Sequence, residues 1–185
     1  MCPGDRNSGN VSTARLEFLL LPINRKPRKK YLQCSVLLIP QGLESGGWSG
    51  GGQMTLNCLF RYPEVYNTGL AVSFVSDQKL YDNIYQERYM GLPDDNKEGY
   101  RDGSPINFVK NLKGNLMIIH GTADDNVHYQ SFEMLVNELI KNNKMFSMMS
   151  YPMRSHGIYE RENTSCHLRE TMEKFWKLNL PAGGK

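Results

Sequence analysis

Seven residues constrain the rest of the chain: Gly46-Gly47-Trp48-Ser49-Gly50-Gly51-Gly52. Within them, Gly47-x-Ser49-x-Gly51 has the spacing of a nucleophile elbow, where a strand ends in a very tight turn and a helix begins at once. The apical residue of such a turn has a strained backbone, and side chains two positions to either side would collide. Glycine removes the collision because it has no Cβ. The turn pushes the hydroxyl out of the sheet, and the N–H of Gly50 points to where an oxyanion would form. Taken alone, the same residues would also suit a glycine-rich linker, so residues 53–185 must decide between the two.

Those residues are regular. Residues 53–60 continue as a short helix that Pro63 ends, because proline cannot extend the hydrogen-bond ladder. Residues 69–75 form a buried-strand candidate. Residues 77–110 are polar, aromatic and loop-rich, with helix around 81–89. The run Leu116-Met-Ile-Ile119 is short and continuously apolar, as in a parallel strand covered on both faces. A helix over 128–141 repeats Phe132, Leu135, Leu139 and Ile140 on one face. A strand over 146–151 stops at Pro152. Asn163-Thr164-Ser165 can cap a last helix, with Leu168, Met172, Phe175 and Trp176 inward. Strands alternating with helices predict the α/β class, a mostly parallel sheet flanked by helices. Residues 1–45 differ: apolar pieces at 16–21 and 36–39 and a basic piece at 25–30, cut apart by Pro22, Pro27 and Pro40, with no helical period. They read as an atypical N-terminal segment, and the basic piece as a solvated loop.

Composition closes off several functions. With 185 residues, 39% hydrophobic and 22% charged, the chain can bury one real core. A net charge of +3 gives no concentrated basic face for nucleic acid. No apolar run is long enough for a membrane segment, and no signal peptide is read near the start, so the compartment stays open. Cys2, Cys34, Cys58 and Cys166 lack metal spacing and read as isolated thiols. The histidines lack zinc spacing as well, and no metal or other cofactor is expected.

In an open parallel sheet, chemistry gathers at the carboxyl ends of the strands. Ser49, Asp124 and His156 each come after a strand, in the order Ser, Asp, His expected of α/β-hydrolases. Such a trio lets imidazole take the hydroxyl proton while a carboxylate fixes its tautomer. Asp125 is a rival for the carboxylate. His120 ends a strand, His128 and His167 lie on helices, and all three are less well placed than His156.

Three motifs, Gly47-Trp-Ser-Gly-Gly-Gly52, Gln86-Glu-Arg-Tyr-Met-Gly91 and His120-Gly-Thr-Ala-Asp-Asp-Asn-Val-His128, resemble the dipeptidyl peptidase IV branch of the prolyl oligopeptidase family. The likeness covers about residues 46–181. It implies a serine peptidase on a truncated α/β-hydrolase fold, residues 46–185 being the C-terminal part of the peptidase domain. Relatives remove dipeptides from peptide N-termini, preferring proline or alanine at the second position, and are often periplasmic, secreted or membrane-anchored. Ser49 then corresponds to the nucleophile, Asp124 to the orienting acid, His156 to the general base and Gly50 to an oxyanion donor. Val75, Tyr81, Tyr85 and Val127 correspond to the proline pocket and Asn126 to a substrate-carbonyl donor, with Arg88 nearby. Tyr89 reads as core packing, and Gln78 stands where some relatives place an aromatic. Peptides are the implied partners, with a homodimer through the C-terminal helix. The chain departs from the family in three ways. The propeller with its glutamates is missing, as is the stretch bearing a second oxyanion donor, and residues 40–46 intervene between the aliphatic 37–39 and the elbow. Impaired activity is therefore expected, with a non-catalytic association module or an esterase-type acyl hydrolase as the alternatives.

Overall fold

The computed structural model describes residues 34–39 and 42–180, with 34–39 and Gly42 described by backbone alone. The described residues run β1 (Cys34–Ile39), β2 (Gly42–Trp48), α1 (Gly50–Arg61), β3 (Tyr66–Val72), α2 (Asn83–Met90), α3 (Lys97–Gly103), β4 (Asn115–Gly121), α4 (Gln130–Lys141), β5 (Ser147–Tyr151) and α5 (Thr164–Asn179), with short 3-10 segments at Gln78–Leu80 and Pro105–Asn111. The apolar piece 16–21, the basic piece 25–30 and Cys2 lie outside the described residues.

The strands form one sheet in the order β1-β2-β3-β4-β5. Strands β2 to β5 are parallel, and β1 pairs antiparallel with β2. The sheet separates two cores because side chains alternate along each strand. Ala71 of β3 with Leu116 and Ile118 of β4 face one way, against Leu56, Leu59 and Phe60 of α1 and Phe132, Leu135 and Leu139 of α4. Leu70 and Val72 of β3 with Met117 and Ile119 of β4 face the other way, against Leu168 and Phe175 of α5. Covered on both sides, β3 and β4 are buried from Thr68 to Val72 and from Leu116 to Gly121. The α/β fold class read from the alternation is the one observed.

Four local expectations change. The strand entering the elbow is Gly42–Trp48, so residues 42–46, read as part of an interruption before the elbow, belong to it. The aliphatic residues 36–39 belong to β1, which pairs beside β2, Leu38 opposite Leu43 and Cys34 opposite Gly47. The strand read over 69–75 starts earlier and stops at Val72, because Ser73 turns into positive φ (46°). Ile140 follows the period of α4 but is 64% exposed, since the face of α4 that packs on the core is that of Phe132, Leu135, Val136 and Leu139. Asn163 occupies the cap position of α5 in a left-handed conformation, and its side chain makes no cap hydrogen bond.

Of the cysteines, Cys58 is buried and outside any disulfide, while Cys166 is disulfide-bonded, so the reading of isolated thiols does not extend to Cys166. Among the described residues, no helix is long and apolar enough to cross a membrane.

Candidate active site

Ser49 sits between β2 and α1 with φ 56° and ψ −121°. Its N–H is held by Val72 O at 2.8 Å, and its carbonyl already accepts from Gln53 N at 3.0 Å. Strand and helix therefore meet at one residue. That meeting depends on Gly47: a Cβ there would lie 2.3 Å from the carbonyl carbon and oxygen of Gly51, a separation no real Cβ tolerates. Gly50 opens α1, so its N–H is one of the first-turn donors with no acceptor inside the helix.

Asp124 lies beyond β4 and is 4% exposed. Its Oδ1 accepts from the N–H groups of Asn126 (3.0 Å) and Val127 (2.9 Å), an Asx-type turn. Its Oδ2 lies 2.8 Å from His156 Nδ1 and 3.2 Å from His120 Nε2. Burial alone would raise this carboxyl. The hydrogen bonds from His120, His156 and the Val127 N–H outweigh burial and hold it well below the usual carboxylate range. Asp125, the rival, is exposed.

The segment carrying His156 is brought to Asp124 by contact between two loops. Thr122 N donates to Tyr151 O and Ala123 N to Arg154 O, each at 3.0 Å. The approach needs Gly121, where a Cβ would stand 2.3 Å from Arg154 O. The elbow then ties itself to the same segment: Trp48 Nε1 donates to the His156 carbonyl at 2.9 Å and Ser73 Oγ donates to it at 3.2 Å. Trp48 immediately precedes Ser49, so the elbow is tied to the backbone of the His156 segment, although no bond joins Ser49 Oγ to His156 among the described residues.

Beside them, Tyr81 Oη donates to Asn126 Oδ1 at 3.0 Å, and the rings of Tyr81 and Tyr85 meet edge to face at 5.4 Å. Burial, then Asp82, Tyr85 and Asp124, push the Tyr81 phenol up, so it stays a neutral donor. Val75 and Val127 are nearly fully buried and present little open surface, whereas Tyr85 is 44% exposed. Tyr89 is not core: it is 54% exposed, its ring 4.8 Å from that of Tyr85. Arg88 is also exposed. Gln78 is occupied by hydrogen bonds with Gln86 and with Gly103 O. Sequence reasoning passed over His120, which contacts Asp124, and Trp48. The available signal for His120 was its position four residues before Asp124 at the end of an apolar strand. Among the described residues, no group of three or more His, Cys, Asp or Glu could hold a metal ion.

The sequence profile of the prolyl oligopeptidase family matches residues 30–182, taking in β1 and β2 ahead of the motifs. The chain is 40% identical over 134 residues to venom dipeptidyl peptidase 4 of Apis mellifera, covering 70% of this chain and 17% of that protein. It is 41% identical over 115 residues to dipeptidyl peptidase 4 of Bos taurus, covering 60% and 15%. The crystal structure of Porphyromonas gingivalis dipeptidyl peptidase 4 matches with a TM-score of 0.71 and 40% identity, covering 73% of this chain and 19% of that one. The chain thus spans less than a fifth of the length of these relatives.

Proposed function

Because this chain belongs to the prolyl oligopeptidase family and is dipeptidyl peptidase IV-like, we propose that it carries the serine-peptidase chemistry of a dipeptidyl peptidase, acting through Ser49, His156 and Asp124. The observation that supports this most is the 2.8 Å pairing of His156 Nδ1 with Asp124 Oδ2, on a segment that Trp48 bonds to the elbow.

The chemistry comes from the donors and acceptors. An ionised Asp124 can only accept, so the proton of neutral His156 resides on Nδ1. Nε2 is left with its lone pair free. As Ser49 Oγ attacks the scissile carbonyl, Nε2 takes the hydroxyl proton and Asp124 stabilises the resulting imidazolium. The oxyanion faces the Gly50 N–H. His156 then returns the proton to the departing amine, leaving Ser49 acylated, and water hydrolyses the ester by the same steps. The bond between Ser49 Oγ and Nε2 forms in the substrate complex, where catalytic hydrogen bonds tighten. Tyr81, Tyr85 and Asn126, with Val75 and Val127 behind them, would receive a small ring such as proline and hydrogen-bond a substrate carbonyl. The Tyr81–Asn126 pair favours a peptide over a simple ester. A homodimer through the last helix would use α5, where Leu178 is 73% exposed.

Gly50 is the one oxyanion donor identified among the described residues. The test uses a fluorophosphonate probe and a fluorogenic Gly-Pro substrate on the same preparation. Labelling and Gly-Pro turnover that both disappear in S49A are the expected result. A folded chain that the probe does not label, or labels equally in S49A, would overturn the reading.

A further inference from the structure

We propose that His120 is a positioning residue for the Asp124–His156 pair, a second imidazole whose N–H holds the carboxylate in the orientation His156 requires. The inference rests on the catalytic role assigned to that pair under the proposed function.

The tautomer of His120 is fixed by its neighbours. Its Nε2 lies 2.8 Å from the carbonyl oxygen of Val127 and 3.2 Å from Asp124 Oδ2. Both only accept, so Nε2 must carry the proton, directed mainly at Val127 O with Asp124 Oδ2 as the longer contact. The other nitrogen, Nδ1, is buried and has no hydrogen-bond partner among the described residues. Around it stand the rings of Phe74 (5.6 Å), Tyr129 (5.8 Å) and Phe132 (5.8 Å). A proton added at Nδ1 would find no acceptor there. His120 is 0% exposed, so burial opposes a charge too. The charged and titratable groups facing this cluster among the described residues are few. His156 and Asp124 are in it, Tyr81 bears on Asp124 from the side of α2, and the Tyr129 hydroxyl is engaged with Ser150 Oγ.

Two imidazoles therefore share one carboxylate oxygen and divide the work. His156 is partly open and its Nε2 is free for proton transfer. His120 is sealed, and its Nε2 can only donate. Its hydrogen bond to Val127 O and its 3.2 Å contact with Asp124 Oδ2 place it between the end of the Asp124 turn and the carboxylate. With Oδ1 held by the Asn126 and Val127 N–H groups, Oδ2 has one remaining direction, toward His156. Removing His120 would loosen Oδ2 and make the carboxylate easier to protonate.

The test compares the full chain with H120F, which keeps the ring and its aromatic contacts but no donor, and H120Q, whose side-chain N–H2 can replace Nε2. Two readouts are followed. NMR of the Asp124 carboxyl carbon should show it ionised across the ordinary aspartate range, about pH 3 to 5, in wild type and H120Q, and titrating inside that range in H120F. Fluorophosphonate labelling of Ser49 should slow at least tenfold in H120F, as for the loss of a hydrogen bond to a charged group, and recover to within about threefold in H120Q. Equal behaviour of H120F and wild type, or of H120F and H120Q, would reduce His120 to a space-filler. Imidazole nitrogen NMR of the wild type needs no variant: a His120 that carries its proton on Nδ1 and not on Nε2 overturns the inference. If no variant labels, wild type included, the proposed function fails while the carboxyl titration still decides the role of His120.

Discussion

Two carboxylates in this molecule are equally hidden from water and behave oppositely. Glu44 sits in the strand that enters the elbow and is 3% exposed; Asp124 lies just past β4 and is 4% exposed. Asp124 receives two backbone N–H groups and two imidazoles, and its carboxyl is held down. Glu44 Oε1 is buried without a partner among the described residues, and burial alone pushes its carboxyl up. Burial therefore does not decide the charge of a group; the donors aimed at it do. The difference also separates the two halves of the candidate site. Both oxygens of the acid in one half meet donors, whereas the strand delivering the serine carries a carboxyl oxygen with none.

The same change made at both places breaks this contrast most strongly. D124N keeps the shape but turns an acceptor into an N–H2 that faces the N–H groups of His120 and His156. His156 then favours the wrong tautomer, and fluorophosphonate labelling of Ser49 should fall about 10⁴-fold, the cost of this change where a carboxylate orients a catalytic histidine. A rate within tenfold of wild type would show that Asp124 does not orient His156. At Glu44 the corresponding loss of charge should help the protein rather than harm it.

Removing the polar atoms of Glu44 altogether is the next largest effect. E44L takes away a buried, unmet oxygen, and relieving such a group is worth about 1–3 kcal/mol. For a chain of this size that corresponds to a rise of roughly 2–4 °C in Tm per kcal/mol. Urea unfolding at pH 7.5 measures it. A less stable E44L would mean that the Glu44 carboxyl is held by a stabilising partner and that the contrast with Asp124 is false.

How far the site was legible turns on the same contrast. The elbow could be read because its requirement is local: Gly47 faces Gly51 a few residues away. The run Leu116-Met-Ile-Ile119 could be read because a strand buried on both faces must be apolar throughout. Strand β2 could not be, because Gly-Leu-Glu-Ser-Gly-Gly-Trp has little strand preference of its own. It is extended because β1 and β3 pair with it on both sides, a tertiary effect that overrides propensity. Tyr89 and Ile140 fit apolar patterns yet face water, since the pattern does not say which neighbour will cover a face. His120 was set aside as less well placed than His156 for the converse reason: its contacts to Val127 and Asp124 are ones that only the folded turn creates.

The smallest effect is also the one that isolates charge from shape. At acid pH a protonated Glu44 and a glutamine are nearly the same size and equally neutral, so E44Q and wild type should be equally stable there. As pH rises, wild type must either ionise a buried carboxyl or keep a proton it would lose in the unfolded chain. With its folded value raised above the ordinary 4.5, the folded state binds more protons than the unfolded state, and stability declines as pH climbs from about that value through the folded one. Asp124 runs the other way, contributing stability above the ordinary 3.8 that is lost only as pH falls toward its lowered folded value. The two windows do not overlap, so the gap between E44Q and wild type between pH 4.5 and 7.5 reports Glu44 alone. That gap should open with pH to about 1 kcal/mol in favour of E44Q, within the range for an unmet buried polar group. A gap that stays constant with pH would assign the Glu44 effect to packing and dissolve the contrast with Asp124.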